Sequence, residues 1–359
     1  MKRSAILSLK FANEGKRQQV ADLLVEYRAA VNFYIGLCWD QDGRFNAATL
    51  RRLTDSPLSY RYKGQALKQA VGIVAGTKKA ANETGKQASK PIFRGGADLS
   101  TNMLNLSFTK NAFDCWIRIS TLTRGKPIWL PCKKTRVFNK WAALGKLIPG
   151  GTLFERRGNL YVRVSFDVPV TEPSGKGPAL GIDRGVLNVL ATSEGQLIGD
   201  KLDTFIDRIK RTVPRSRGRL RARIARDQYI NQCLKRLPFS GFAVFVIEAL
   251  KWIKHGKRGK LSRATNRRFS HWTVGAMGER LKQLCQERNV FLLEVPPAYT
   301  SQYCPACGHV EKGNRRGTVF RCVKCDHLGN ADVIGARNIR DVGLGKILVP
   351  HAKVQSVKV

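Results

Sequence analysis

Two Cys-x-x-Cys pairs constrain this chain more than any other feature. Cys304 and Cys307 lie in "SQYCPACGHV" and Cys322 and Cys325 in "RCVKCDHLGN", with fourteen residues between the pairs. Each pair fits one tight turn, and four thiolates close a tetrahedral shell, so the spacing predicts a structural Zn²⁺ ribbon over 299–328. His309 and His327 stand nearby but are surplus to a complete four-sulfur shell. The competing reading is a ribbon that folds without metal. The five other cysteines (Cys38, Cys115, Cys132, Cys233 and Cys285) are scattered singly. An odd total without a secretory segment argues against a disulfide framework and for a reducing compartment. The chain has no apolar stretch of signal-peptide or membrane-spanning length, so a cytoplasmic location is expected.

Ten residues past Cys322 stands Asp332, opening "ADVIGARNI", which reads as a helix. Two further acids end apolar runs that read as buried strands, Asp183 in "ALGIDRG" and Glu248 in "FAVFVIEAL". Burial penalises an unpaired charge, so each position needs a reason. Taken singly, Asp183 is a turn residue before Gly185, Glu248 a partner for an arginine, and Asp332 a helix N-cap. Taken together, two strand-end carboxylates and one on a late helix are the arrangement with which a ribonuclease-H-type fold holds two Mg²⁺ ions. Hard oxygen ligands suit Mg²⁺, and two such ions about 3.5–4 Å apart serve phosphodiester hydrolysis.

The rest of the chain falls into an order of elements. Residues 4–11 read as a strand, and Val20, Leu23, Leu24, Tyr27, Val31 and Tyr34 recur at helical spacing. A second helix is expected over roughly 63–81 and a little beyond, and a loop in the polar stretch 82–100. Strands and turns are expected from Asn102 to Val170, then a linker at 171–178. Residues 179–199 read as strand, turn and strand, 242–250 as a strand, 271–288 as a helix and 290–295 as a strand.

Charge narrows the partner. The chain carries 64 Lys+Arg against 26 Asp+Glu, a formal net charge of +38, which favours a polyanion. The excess is concentrated: 208–226 holds nine basic residues and no acid, and 251–268 holds eight and no acid. A charge run is usually a solvated face, but these two flank the Glu248 strand, which favours phosphate contact. "RRG" at 315–317 reads either as a solvated loop or as a phosphate contact. Trp116, Trp129, Trp141 and Trp252 are candidates for base stacking, with core packing the commoner role.

The ordered set "GIDRG", "VIEAL", "YTSQYCPACG", "CVKC" and "ADVIGARNI" resembles the nuclease core of the TnpB family, transposon-encoded RNA-guided DNA nucleases related to compact type V CRISPR effectors. "KPIFRGG" and the segment around "QALKQA" resemble the family's N-terminal half. The resemblance implies an α/β multidomain fold: a RuvC-like core of ribonuclease-H type with an inserted zinc ribbon, and an N-terminal wedge β-barrel interrupted by a helical recognition domain. The implied boundaries are 1–14 and 96–175 for the barrel, 15–95 for the helical domain, 176–298 and 329–342 for the core, 299–328 for the ribbon and 343–359 for a tail. It implies Asp183, Glu248 and Asp332 as catalytic Mg²⁺ ligands and the four cysteines as Zn²⁺ ligands. Guide RNA and double-stranded target DNA are the implied partners, with no membrane, a monomer and a nucleoid-associated location in the cytoplasm. Arg61, Gln65, Lys68 and Gln69 lie in or beside the helix that in this family helps read the motif flanking the target. Arg215, Arg217, Arg219 and Arg221 are candidate backbone contacts. Two features depart from the family: a short Asp183–Glu248 connector, and Val333-Ile334-Gly335 after Asp332 where the pattern reads Asp-x-Asn-Ala-Ala. The alternatives are a catalytically idle RNA-guided DNA-binding repressor, a compact type V effector on the same scaffold, and a guide-independent, structure-specific nuclease.

Overall fold

The computed structural model describes residues 1–40, 52, 55–85, 87–109, 112–185, 187–250, 271 and 273–347. The basic segment 251–268 with its Trp252, and most of the expected tail, lie outside the described residues. The chain divides into two compact units, Met1–Pro169 and Val170–Val359.

In the first unit, strand β1 (Lys2–Ser8) leads into helices α1 (Glu14–Asp40) and α2 (Tyr60–Thr84). Strands β2 (Ala97–Leu99), β3 (Leu104–Phe108), β4 (Cys115–Ile119) and β5 (Ile128–Cys132) follow, then helix α3 (Arg136–Leu144) and the hairpin β6 (Lys146–Arg156) and β7 (Asn159–Asp167). They form two antiparallel sheets, ordered β1-β7-β6-β2 and β3-β4-β5. The helices therefore enter the sequence between β1 and its partner strand β7. The stripe Val20, Leu23, Leu24, Tyr27, Val31 and Tyr34 is buried as its spacing requires. Tyr27 and Tyr62 meet edge to face at 6.4 Å, and the Tyr27 hydroxyl donates to Gln69 Oε1 at 2.9 Å.

Helix α2 begins at Tyr60 and runs a little beyond residue 81, to Thr84. Two expectations shift here. Ala97–Leu99, expected in a loop, pairs with β6. Helix α3 falls inside the expected strand region. Its local signals are present: Thr135 caps it, accepting from Phe138 N at 3.2 Å, and Gly145 ends it. Nine residues flanked by strand-like runs gave those signals too little length to outweigh their surroundings. Trp141 on this helix is buried, with Lys140 Nζ 4.2 Å from its ring centre.

The second unit is built on a five-stranded mixed sheet. Strands β8 (Ala179–Asp183), β9 (Leu190–Thr192) and β10 (Leu197–Ile198) precede helices α4 (Leu202–Lys210) and α5 (Arg217–Leu234). Then come β11 (Val244–Glu248), helix α6 (Val274–Arg288) and β12 (Phe291–Val295). The order is β10-β9-β8-β11-β12, with β8, β11 and β12 parallel and β9 antiparallel to β8. The parallel strands "ALGID", "VFVIE" and "FLLEV" carry apolar residues toward both faces because both are covered. Leu180, Ile182, Phe245 and Ile247 join Met277, Leu281 and Leu284 of α6 on one side. Val244, Val246 and Val295 meet Ile339 and Val342 of the last helix, α7 (Ala331–Gly343), on the other. Between β12 and α7 lies a small sheet of β13 (Arg315–Arg316), β14 (Val319–Arg321) and β15 (Leu328–Asn330). Where one strand was expected after the first turn in 179–199, two short ones form.

No helix among the described residues is long and apolar enough to cross a membrane.

Helix α7 lies so close to β8 that a Cβ on Gly181 would stand 1.9 Å from the Ala336 carbonyl oxygen. Gly181→Ala must push sheet and helix apart. We expect a loss of about 1–3 kcal/mol, the usual range for overpacking, seen as a lower thermal midpoint. Gly195→Ala, in a turn with nothing within 4 Å of the added carbon but a φ of +88°, measures backbone strain without the clash and should cost less.

Candidate active site and cysteine centre

The three carboxylates come from three elements of the second unit. Asp183 ends β8, Glu248 ends the adjacent parallel strand β11, and Asp332 lies in the first turn of α7. Parallel pairing in register brings the first two to the same sheet edge. Asp332 is delivered by the cap of α7: the Asn330 side chain accepts from the backbone N–H of Asp332 at 3.0 Å and of Val333 at 3.2 Å. So Asn330, not Asp332, is the N-cap, and the Asp332 carboxylate is left over for other work. Gly335, one turn along, faces the cluster: a Cβ there would be 3.3 Å from Asp183 Oδ2.

Electrostatics ties the acids together. Burial, then the negative charges of Glu248 and Asp332, push Asp183 up to about 7. Burial also raises Glu248, opposed by a hydrogen bond from Thr300 and by the positive charges of Arg184 and Arg315. Asp332 itself is buried, and Arg315 Nη2 donates to its Oδ1 at 2.6 Å. Arg184 is also buried; one guanidinium nitrogen donates to the Glu248 carbonyl oxygen and another to Val274 O at 3.3 Å.

Four side chains around the acids were not tied to them by the sequence. Thr300 donates its hydroxyl to Glu248 Oε1. Asn338, on α7, donates to the carbonyls of Thr300 and Tyr303, both at 2.8 Å, and so holds the turn that carries Thr300. Arg184 follows Asp183 directly. Arg315, part of the "RRG" read as a solvated loop or a phosphate contact, is turned inward onto Asp332 instead. The available signal was a polar residue within quoted motifs: Thr300 in "YTSQYC", Asn338 in "ARNI".

The cysteines form a second centre. The Sγ atoms of Cys304, Cys307, Cys322 and Cys325 all lie within 4.8 Å of one another. Cys304–Cys325 and Cys307–Cys322 are 3.7 and 3.6 Å apart. A tetrahedral zinc with sulfurs at about 2.3 Å separates them by about 3.8 Å, so the donor set fits Zn²⁺. The two turns repeat one backbone pattern. Cys304 N donates to His309 O at 2.9 Å and Gly308 N to Cys304 O at 2.9 Å; Cys322 N donates to His327 O and Asp326 N to Cys322 O, each at 3.0 Å. Gly308 and Asp326 both take positive φ, 72° and 55°. The histidines thus contribute their carbonyls to the turns. The His309 ring contacts Glu311 at 3.0 Å, and the His327 ring lies against Phe320.

Of the candidate nucleic-acid contacts, Arg61 and Lys68 are exposed on α2 and Gln65 is half-buried. Gln69 is committed to packing: besides accepting from Tyr27, it donates to Gly96 O at 3.1 Å. Arg215, Arg217 and Arg221 are exposed, whereas Arg219 donates to Thr212 O at 3.1 Å beyond the end of α4.

Residues 275–339 match the family model described as Cas12f1-like, TNB domain. Over 89 residues the chain is 33% identical to the CRISPR-associated endodeoxyribonuclease Cas12f1 of Sulfoacidibacillus thermotolerans, covering 24% of this chain and 21% of that protein. It is 28% identical over 225 residues to InsQ of Escherichia coli K12, whose name includes RNA-guided DNA endonuclease, covering 54% of this chain and 56% of that one. It is 31% identical over 131 residues to a TnpB-like protein of Aquifex aeolicus, covering 36% and 42%. The chain thus spans from about a fifth to just over half the length of these relatives. Among solved structures, a Cas12f1–sgRNA–target DNA complex superposes with a TM-score of 0.54 at 15% identity, covering 95% of this chain and 83% of that one. The mini-RNA-guided endonuclease CRISPR-Cas_phi3 gives 0.54 at 13%, covering 95% and 92%. These matches bear out the resemblance to the TnpB family, and the two structures share the mixed α/β fold.

Two outcomes follow from this geometry. Asp183 in the metal-free fold holds its proton up to about 7, against about 3.9 when unfolded. The folded state therefore binds more protons, its contribution is fully present below the unfolded value, and it is lost as pH rises through about 7. In chelator, the thermal midpoint should fall more steeply between pH 5 and pH 7.5 in wild type than in Asp183→Asn; equal slopes would contradict the burial argument. At the other centre, Cys304→Ser with Cys307→Ser should lose about one zinc per chain and lower the thermal midpoint, because such binding is coupled to folding. Metal analysis of protein never exposed to chelator checks this, and wild type without zinc would refute it.

Proposed function

We propose that this relative of the TnpB proteins is an RNA-guided DNA endonuclease, a Mg²⁺-dependent phosphodiester hydrolase whose catalytic residues are Asp183, Glu248 and Asp332. The observation that carries the reading is the convergence of three acids from β8, β11 and α7, Asp332 buried and Asp183 and Glu248 half-buried, with Asp183 pushed up to about 7 by burial and then by the other two. An acid whose proton affinity is raised by burial and by two neighbouring carboxylates has a standing demand for cations, and an all-oxygen donor set suits Mg²⁺. When bound, the ions supply Lewis-acid stabilisation of the attacking and leaving oxygens.

The remaining residues divide the work. Thr300 fixes one Glu248 oxygen, Asn338 fixes Thr300, and Arg184 anchors the end of β11 through its carbonyl. Arg315 brings a positive charge to Asp332, where it offsets the crowded acids. The Zn²⁺ ribbon is structural: it holds the entry to α7. In this reading, the second unit is a RuvC-like core with that ribbon inserted, and the first is the wedge barrel interrupted by the helical recognition domain. The boundaries are those implied by the family. The guide RNA reads the target by base pairing, while the protein reads a short adjacent motif with the region of Arg61, Gln65 and Lys68. Arg215, Arg217 and Arg221 grip backbone phosphates.

The names of the relatives support nuclease chemistry, and the net charge of +38 supports polyanionic partners. The test is cleavage of a guide-matched plasmid beside gel-shift binding. Asp183→Ala, Glu248→Ala and Asp332→Ala should each reduce cleavage by at least about a hundredfold and leave target binding intact, since affinity comes from pairing and remote backbone contacts. Asp200→Ala, outside the cluster, should cut normally. Wild-type cleavage by Glu248→Ala would refute the three-acid assignment. Binding without cleavage under any divalent ion would replace this reading with the repressor.

A further inference from the structure

The solvent face of the first unit's larger sheet carries an arrangement that the carboxylate chemistry does not use. Strands β6 and β7 are joined by a two-residue turn, Arg157-Gly158, with φ of 55° and 74°. Next to it, Phe154 and Tyr161 face each other across the strands with rings nearly parallel, 5.6 Å apart and 22° from coplanar. The Arg163 guanidinium lies over the Phe154 ring at 5.2 Å. These rings, Ile6 of β1, Arg156, Arg157 and Asn159 line an open depression of about 480 Å³. The opposite face of the same strands buries Ala5, Leu7, Leu153, Val162 and Val164. The pair therefore sits on the side that the core does not need.

A cross-strand aromatic pair by itself stabilises a sheet. What goes further here is its company. Arg156, Arg157 and Arg163 are exposed, and none is ion-paired among the described residues. The acid in the same cross-strand row, Asp98 on β2, already accepts from the Thr152 hydroxyl at 2.8 Å. Three cations without an acidic partner among the described residues, around half-exposed rings, repel one another until an anion arrives, and flat rings add affinity for flat ligands. Polyanions with exposed flat faces are unpaired nucleic-acid strands; a duplex hides its base faces. Hydrogen-bonding groups stand at the same rim: the Tyr161 hydroxyl, and Asn159, whose amide nitrogen donates to Arg157 O at 3.2 Å and leaves its oxygen as an acceptor. Such groups suit a 2′-hydroxyl.

We propose that Phe154, Tyr161 and Arg163, with the turn arginines Arg156 and Arg157, form a stacking platform for an unpaired RNA segment. A base lies on the rings and the flanking phosphates lie on the turn. The proposal takes from the reading above only that RNA is a partner; it requires no cleavage.

The test uses the full chain and a fluorescein-labelled, unstructured uridine-rich RNA, followed by anisotropy. Phe154→Leu/Tyr161→Leu keeps apolar bulk and removes the ring faces. It should weaken binding roughly tenfold for each stacked base lost. Arg157→Asn removes a charge while tolerating the left-handed backbone, and should reduce the slope of log affinity against log salt by about one phosphate's worth. Asp200→Ala, an exposed acid remote in sequence from the platform and outside the acid cluster, should leave binding unchanged. Ultraviolet crosslinking of the bound RNA followed by peptide mass mapping should place adducts at Phe154 or Tyr161. Affinity within twofold of wild type for the double variant, with an unchanged thermal midpoint, would overturn the proposal. So would a loss accompanied by a lowered midpoint and no crosslink at either ring. Equal binding and equal loss with DNA of the same sequence would overturn the assignment to RNA. If wild type binds no nucleic acid at all, the proposed function fails first.

Discussion

Three carboxylates held together inside a protein are a repulsive arrangement, and much of the second unit serves to keep them there. Asp183 and Glu248 are brought side by side by in-register parallel strands, so neither can retreat without breaking the sheet. Asp332 arrives on a helix that packs against β8 with no room for a Cβ at Gly181. The repulsion appears as proton affinity, with Asp183 lifted to about 7 by burial and its neighbours. Arg184 and Arg315 return part of the missing positive charge. Neither offsets the charge of all three acids.

The same constraint explains the polar chain around it. Asn338 on α7 holds the Thr300 turn, and Thr300 holds Glu248, so the helix that delivers one acid also orients another. Gly335 has the same logic. It departs from the family pattern, but a side chain there would stand 3.3 Å from an Asp183 oxygen, so glycine leaves that oxygen open. The cysteine turns pack against the start of the same helix. Phe320, Cys304 and Cys322 share one small core with Ala331 and Ile334, so folding of the two cysteine turns fixes where α7 begins. That gives a physical reason for two cysteine turns directly ahead of Asp332.

Positive charge in this chain is not one surface with one job. Arg315 serves the acid cluster, Arg219 braces the turn after α4, and Arg226 is buried, donating to Asp227 and to His271 O. Arg215, Arg217 and Arg221 remain exposed. The count of basic residues in 208–226 therefore overstates the charge available to a phosphate backbone.

The sequence by itself determined the elements with strong local signatures. The helical stripe from Val20 to Tyr34, the apolar strands ending in Asp183 and Glu248, and the paired Cys-x-x-Cys turns were legible because each is a short-range pattern of burial or ligand spacing. The candidate acids were legible too, since a carboxylate at the end of an apolar run needs a reason. What the sequence left open depends on partners far away in the chain. Helix α3 hid among strands because a nine-residue helix has few residues with which to declare its period. Gln69 looked like a surface contact until the fold supplied Tyr27 and Gly96 as its hydrogen-bond partners. Arg315 read as a solvated loop residue or a phosphate contact until the small sheet turned it toward Asp332, seventeen residues on. Tertiary structure alone decided these cases, because the preferred environment of a polar side chain is set by which donors, acceptors and charges the fold brings within about 3 Å of it, and local sequence does not contain that distance.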